Sequence, residues 1–266
     1  MLSSTAQHLA LSHRDHPDEG PFVLPFSAAQ RQREALPQGL AGLIFDMGDV
    51  LYDTTVWRRW LLRILARLGI HSGYREFFHL WDRAYLPAVH CGRCTFDDAF
   101  RRFLSAAGLS AAQVDEVAAA CHARRRAVEA EARPLPGVRS TIARLHAAGV
   151  PMAVLSDTDR PGESLRAQTD RFGLQGAFRA VISSLDLRRI KPDPAAYLAA
   201  LAALELPARQ VAFVGHDSEE LRGAAEVGLV TVAFNYDPEA RADVFLARFD
   251  GLLELLLGRA VLAAVG

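Results

Sequence analysis

Four polar positions stand at expected strand ends or in the loops that follow them, and together they could carry out phosphoryl transfer. Asp46 closes Gly42-Leu43-Ile44-Phe45, and Ser156 closes Met152-Ala153-Val154-Leu155. Lys191 precedes Pro192, and Gly215-His216-Asp217 follows Val211-Ala212-Phe213-Val214. A carboxylate such as Asp46 can attack phosphorus and form an aspartyl-phosphate. The Ser156 hydroxyl can donate to a phosphoryl oxygen. The Lys191 ammonium and a divalent cation would offset the charge on nucleophile and substrate. Two carboxylates beside a phosphate repel it, so this chemistry calls for a hard, oxygen-liking ion such as Mg²⁺.

Positions so distant in sequence meet only if the chain returns repeatedly to one rim. The short apolar runs read as buried parallel strands. Strands are expected at 42–45, 152–155, 179–183, 211–214 and 230–234. Helices are expected at 138–148, 162–171, 192–204 and 218–227, with Gly149 and Gly228 as stops. This alternation predicts an α/β fold with a mainly parallel sheet covered on both faces. The ligand site of such a sheet lies outside the carboxyl ends of its strands.

Between about 54 and 133 the pattern is helical throughout. Val56, Trp60, Leu61, Ile64, Leu65 and Leu68 share one face, and Gly69 ends that helix. Thr95 and Asp98 are spaced as a capping box, Phe96, Phe100, Phe103 and Leu104 form a stripe, and an Ala- and Arg-rich helix covers 111–130. The block is therefore expected as an all-helical insertion after the first strand, seated above the strand ends as a cap. The expected organisation is a flexible extension over 1–38, a core from 39–53 and 134–258, and a cap domain over 54–133. The apolar tail at 252–265 reads as a last packed helix.

Composition bounds the partners. The chain has 266 residues, 30 Lys+Arg against 31 Asp+Glu, and half of its residues are hydrophobic. A net charge of −1 argues against a nucleic-acid or membrane-surface binder. Three cysteines imply no disulfide framework, and no apolar run is long enough to span a bilayer. The expectation is a cytoplasmic protein with a small-molecule substrate. Cys91-Gly92-Arg93-Cys94 is expected to be loop and core rather than a zinc site, which needs four ligands. Arg124-Arg125-Arg126 reads as a solvated helix face or a contact for an anionic substrate. Trp57, Trp60, Phe77, Phe78 and Trp81 read as the core of the helical block.

The ordered motifs resemble those of the haloacid dehalogenase superfamily. Gly42-Leu43-Ile44-Phe45-Asp46-Met47-Gly48-Asp49-Val50-Leu51 resembles its first motif, in the "FDxGxVL" form. Val154-Leu155-Ser156-Asp157 resembles the second, Lys191-Pro192-Asp193-Pro194 the third, and Phe213-Val214-Gly215-His216-Asp217-Ser218 the fourth. The resemblance implies a Rossmann-like core with a helical cap and a Mg²⁺-dependent aspartyl nucleophile. It makes Asp46 the nucleophile, with Ser156, Asp157 and Lys191 binding phosphate. It makes Asp46, the Gly48 carbonyl and Asp217 the metal ligands.

Two positions depart from the commonest phosphatase pattern. The general acid/base Asp expected two residues after the nucleophile is Gly48, as in some sugar-phosphate phosphatases of the superfamily; Asp49 and Asp53 are nearby substitutes. An ungapped match places His216 at the metal-ligand position, and a one-residue shift restores Asp217, which the oxygen preference of Mg²⁺ favours. The expected function is hydrolysis of a phosphomonoester. The alternatives are halide displacement from a 2-haloacid by the same aspartate, and a non-catalytic binding protein.

Overall fold

The structure, a computed structural model, describes residues 39–262, without the side chains at 74–76, 78 and 259–262. The extension expected over 1–38, the packing expected of Phe78 and the end of the apolar tail lie outside the described residues.

The chain enters through β1 (Gly42–Phe45) and passes at once into five helices. These are α1 (Thr55–Arg67), α2 (Tyr74–Ala84), α3 (Leu86–His90), α4 (Phe96–Ala106) and α5 (Ala111–Glu131). Two of them start on reciprocal capping boxes, Thr95 with Asp98 and Ser110 with Gln113. Their apolar faces converge on a core of their own, in which Trp81 packs edge-on against Phe96 and Phe100.

The alternating half follows. It runs α6 (Val138–Ala147), β2 (Met152–Ser156), α7 (Gly162–Arg171), β3 (Ala180–Ser183), α8 (Ser184–Leu187) and α9 (Pro194–Leu204). Then come β4 (Val211–Gly215), α10 (Ser218–Glu226), β5 (Val230–Phe234), β6 (Val244–Leu246) and α11 (Gly251–Leu262), which is broken at Gly258. The six strands form one sheet in the order β3-β2-β1-β4-β5-β6, and every pairing is parallel. Side chains of β1 alternate between two cores: Leu43 and Phe45 face one, and Ile44 faces the other. Burial on both faces is why β1, β2 and β4 are apolar without alternation.

The short helix α8 was not expected from the sequence, and two further elements differ. The helix expected from Pro192 begins at Pro194, because the Asp193 carboxylate accepts from Ala195 N and caps it there. The sheet gains β6, a three-residue edge strand too short to produce a period-two pattern.

Candidate active site

The order of strands reverses at β1, whose neighbours are β2 on one side and β4 on the other. A crevice opens outside the strand ends at such a switch point. Asp46 stands at its lip, with its backbone N–H donating to Val214 O at 2.9 Å. That bond extends the ladder by one residue and fixes the carboxylate by backbone pairing. The loop that follows is tied down as well. Asp49 adopts a left-handed conformation (φ 55°), and its carboxylate accepts from Thr54 N at 2.8 Å and Thr54 Oγ1 at 2.7 Å. Asn235 Nδ2 donates to the Asp49 carbonyl at 2.9 Å, which ties the loop to the end of β5.

One ammonium serves three carboxylates here. Lys191 Nζ donates to Asp46 Oδ1 at 2.5 Å and to Glu220 Oε2 at 2.9 Å, with its side chain wholly buried. The Asp157 carboxylate accepts from the Lys191 backbone N–H at 3.2 and 3.1 Å and holds the loop that carries the lysine. Close packing makes this possible. A Cβ on Gly223 of α10 would stand 2.5 Å from Pro192 Cβ, so only glycine lets α10 approach the lysine loop. Burial alone would lower the Lys191 pKa, but Asp46, Glu220 and Asp157 outweigh it and hold the group well above its usual value. The carboxylates move the other way. Burial, with Asp46 and Asp157 acting against Lys191, pushes Glu220 well up, and burial with Asp46 pushes Asp157 to about 6.

His216 and Asp217, which the sequence leaves as competitors, take different places. His216 Nε2 lies 3.7 Å from Asp46 Oδ2. Asp217 caps α10, with Oδ1 accepting from Glu219 N at 2.8 Å and Glu220 N at 3.0 Å. Both residues line the crevice, as do Asp46, Gly48, Ser156 and Asp157. Ser156 is buried at the end of β2 on the same rim. Asp53 is not among the lining residues; its carboxylate accepts from Thr55 N and Oγ1 at the start of α1. Gly48 has a neighbour in place of a side chain: a Cβ there would meet Thr54 Cγ2 at 3.0 Å.

The helical block forms the opposite wall of a cavity of about 460 Å³. Three ion pairs lie along it. Arg58 pairs with Asp82 at 3.4 Å inside the block. Arg125 of α5 reaches Asp159 after β2 at 3.0 Å, with its guanidinium 3.7 Å over the Phe96 ring. Arg160 faces Glu129 of α5 at 3.4 Å. Of the arginine triplet, Arg125 is thus a bridge between the two halves. The cysteines are free: Cys91 and Cys121 are buried, and Cys94 lies 3.3 Å from Arg102.

Sequence reasoning missed Glu220. It lies four residues after His216, in the first turn of α10, and faces the rim. That spacing was the available signal.

Comparison with known proteins places this geometry. A family model described as haloacid dehalogenase-like hydrolase matches residues 40–228. The chain is 34% identical over 101 residues to a phosphoglycolate phosphatase of Pseudomonas savastanoi pv. phaseolicola, covering 38% of this chain and 36% of that protein. It is 25% identical over 182 residues to a pyrophosphatase of Halalkalibacterium halodurans, covering 66% of this chain and 80% of that one. The chain thus spans about a third of the length of the first of these relatives. Among solved structures, a 2-haloacid dehalogenase of Pseudomonas syringae pv. tomato superposes with a TM-score of 0.54 at 21% identity, over 82% of this chain and 98% of that one. That likeness concerns the fold. With the ordered motifs and strands β1 to β4 inside the matched span, the chain belongs to the haloacid dehalogenase-like hydrolase family.

Proposed function

We propose that this protein is a phosphoric monoester hydrolase acting on a small phosphorylated metabolite, with Asp46 as its nucleophile. One observation carries the reading: Lys191 occupies Asp46 Oδ1, which orients the carboxylate and leaves Oδ2 to attack from the rim of the cavity. Phosphatase names among the curated relatives support the choice of electrophile.

Attack by Oδ2 forms the Oδ2–P bond and breaks the bond to the leaving oxygen, which takes a proton from water and departs as the alcohol. A second water attacks phosphorus, the Oδ2–P bond breaks, and phosphate leaves with that water's oxygen. The Ser156 hydroxyl donates to a phosphoryl oxygen, and the Lys191 ammonium moderates the charge on Asp46. Gly48 offers no proton to the leaving oxygen. Residues 54–133 act as the cap, which excludes bulk water and selects the substrate. Three free cysteines suit a cytoplasmic setting, and among the described residues no helix is long and apolar enough to cross a membrane.

Mg²⁺ is the ion that the family resemblance implies, with Asp46, Gly48 and Asp217 as its ligands. The donors present do not fit it, because nitrogen rather than oxygen faces Asp46 Oδ2. No step above is routed through a metal.

The test is phosphate release over a broad panel of phosphorylated metabolites, by the wild type and by Asp46→Asn. Turnover retained in Asp46→Asn overturns the reading. The same nitrogen-faced carboxylate favours a second reading, displacement of halide from a 2-haloacid. Halide release without phosphate release would establish that one instead.

A further inference from the structure

We infer that the Asp46 site does not hold Mg²⁺, and that the imidazole of His216 occupies the position from which a second carboxylate would ligate it. The inference concerns the site and holds for either electrophile above.

Mg²⁺ asks for near-octahedral oxygen coordination at about 2.0–2.1 Å and is held through one or two carboxylates. Seven carboxylates stand on the core side of the crevice, of which Asp159 receives Arg125 and Glu219 receives Arg222. Asp46 Oδ1 receives the Lys191 ammonium, and its Oδ2 faces His216 Nε2 at 3.7 Å. Both oxygens of Asp49 receive Thr54. Both oxygens of Asp157 receive the Lys191 backbone. Asp217 Oδ1 receives two backbone N–H groups of α10. Glu220 Oε2 receives Lys191 Nζ. Among the described residues, no group of three His, Cys, Asp or Glu side chains converges as a metal site. Asp46 is thus faced by an ammonium on one oxygen and an imidazole on the other, and imidazole is a poor ligand for a hard ion.

The experiment measures Mg²⁺ binding directly, by calorimetric titration and by thermal melting of the metal-stripped full chain. Wild type is expected to give no binding heat and no rise in Tm at millimolar Mg²⁺. His216→Asp is expected to gain both, with a Tm that rises as Mg²⁺ is added; His216→Asn, which offers a neutral oxygen, serves if the aspartate variant does not fold. Mg²⁺ binding by the wild type that Asp46→Asn abolishes would overturn the inference. Failure of both variants to gain binding would overturn the role given to His216. Neither readout needs a substrate, so a wrong choice of reaction shows up as a blank phosphate panel and leaves this result intact.

Discussion

The two walls of the cavity use the same charged groups in opposite ways. Around the helical wall three arginines each face a carboxylate: Arg58 with Asp82, Arg125 with Asp159, Arg160 with Glu129. On the core side three carboxylates share the single ammonium of Lys191. Balanced pairs satisfy themselves and position structure. Two of the cap-side pairs cross between the halves with reversed polarity, Arg125 to Asp159 and Glu129 to Arg160, so together they define one seating of α5 over the rim. The crowded wall stores electrostatic tension instead, visible as the raised pKa values of Asp157 and Glu220. Perturbed groups of this kind are enriched at functional sites.

Removing the shared ammonium should break the contrast most severely. Lys191→Met leaves buried carboxylates uncompensated, and losing one partner of such a pair costs about 3–5 kcal/mol. We expect that loss of stability in urea unfolding, together with loss of turnover. Stability within 1 kcal/mol (roughly the value of an exposed pair) would mean that the core wall is as balanced as the cap wall.

The empty position at Gly48 should come next. Without a proton donor there, rates should depend steeply on the leaving group, since general acid catalysis is worth about 10²–10⁴-fold. Aryl phosphates with acidic leaving groups should be hydrolysed far faster than alkyl phosphates of similar size. A flat series would show that another group, such as Asp49, supplies the proton. Gly48→Asp alone should not correct the slope, because its Cβ meets the methyl of Thr54, which is pinned to Asp49.

A cap-side change should act on seating rather than chemistry. Arg125→Ala removes a half-buried pair and the contact over Phe96, together about 1–2 kcal/mol. It should raise KM several-fold with a smaller effect on kcat. An equal fall in kcat would place Arg125 on the reacting group.

The two walls should also differ in the sign of their pH dependence. Burial and Asp46 raise the Asp157 pKa from 3.8 to about 6, so between those values the folded state keeps a proton that the unfolded state has lost. Stability from this group is therefore full below pH 3.8 and falls as pH rises through about 6. On the cap-side wall the sign reverses: burial lowers His90 from 6.5 to about 4, so its contribution falls as pH drops through that window. Asp157→Asn should flatten the first slope and His90→Gln the second, each followed by Tm against pH. Slopes left unchanged would remove the electrostatic contrast.

Much of this was legible in the residues. Asp46 and Ser156 each end a recognisable apolar run, Lys191 stands in a post-strand loop before Pro192, and strand ends of a doubly wound sheet share a rim whatever the loops do. The all-helical character of 54–133 followed from its periodicity. Glu220 was hidden because its partner, Lys191, is 29 residues away and nothing local links them. Asp53 looked available for chemistry because a carboxylate capping a helix and a carboxylate in a site have the same one-letter signature.

Sequence alone determined the parallel sheet, the inserted helices and the rim where Asp46 stands, because burial on both faces and helical periodicity are written into short stretches of neighbouring residues. Only the tertiary structure separated the places of His216 and Asp217. Adjacent residues at the mouth of a helix point in different directions, one toward β1 and one into the backbone of α10. Which does which depends on the packing of β1, β4 and α10 together, a property of no local window.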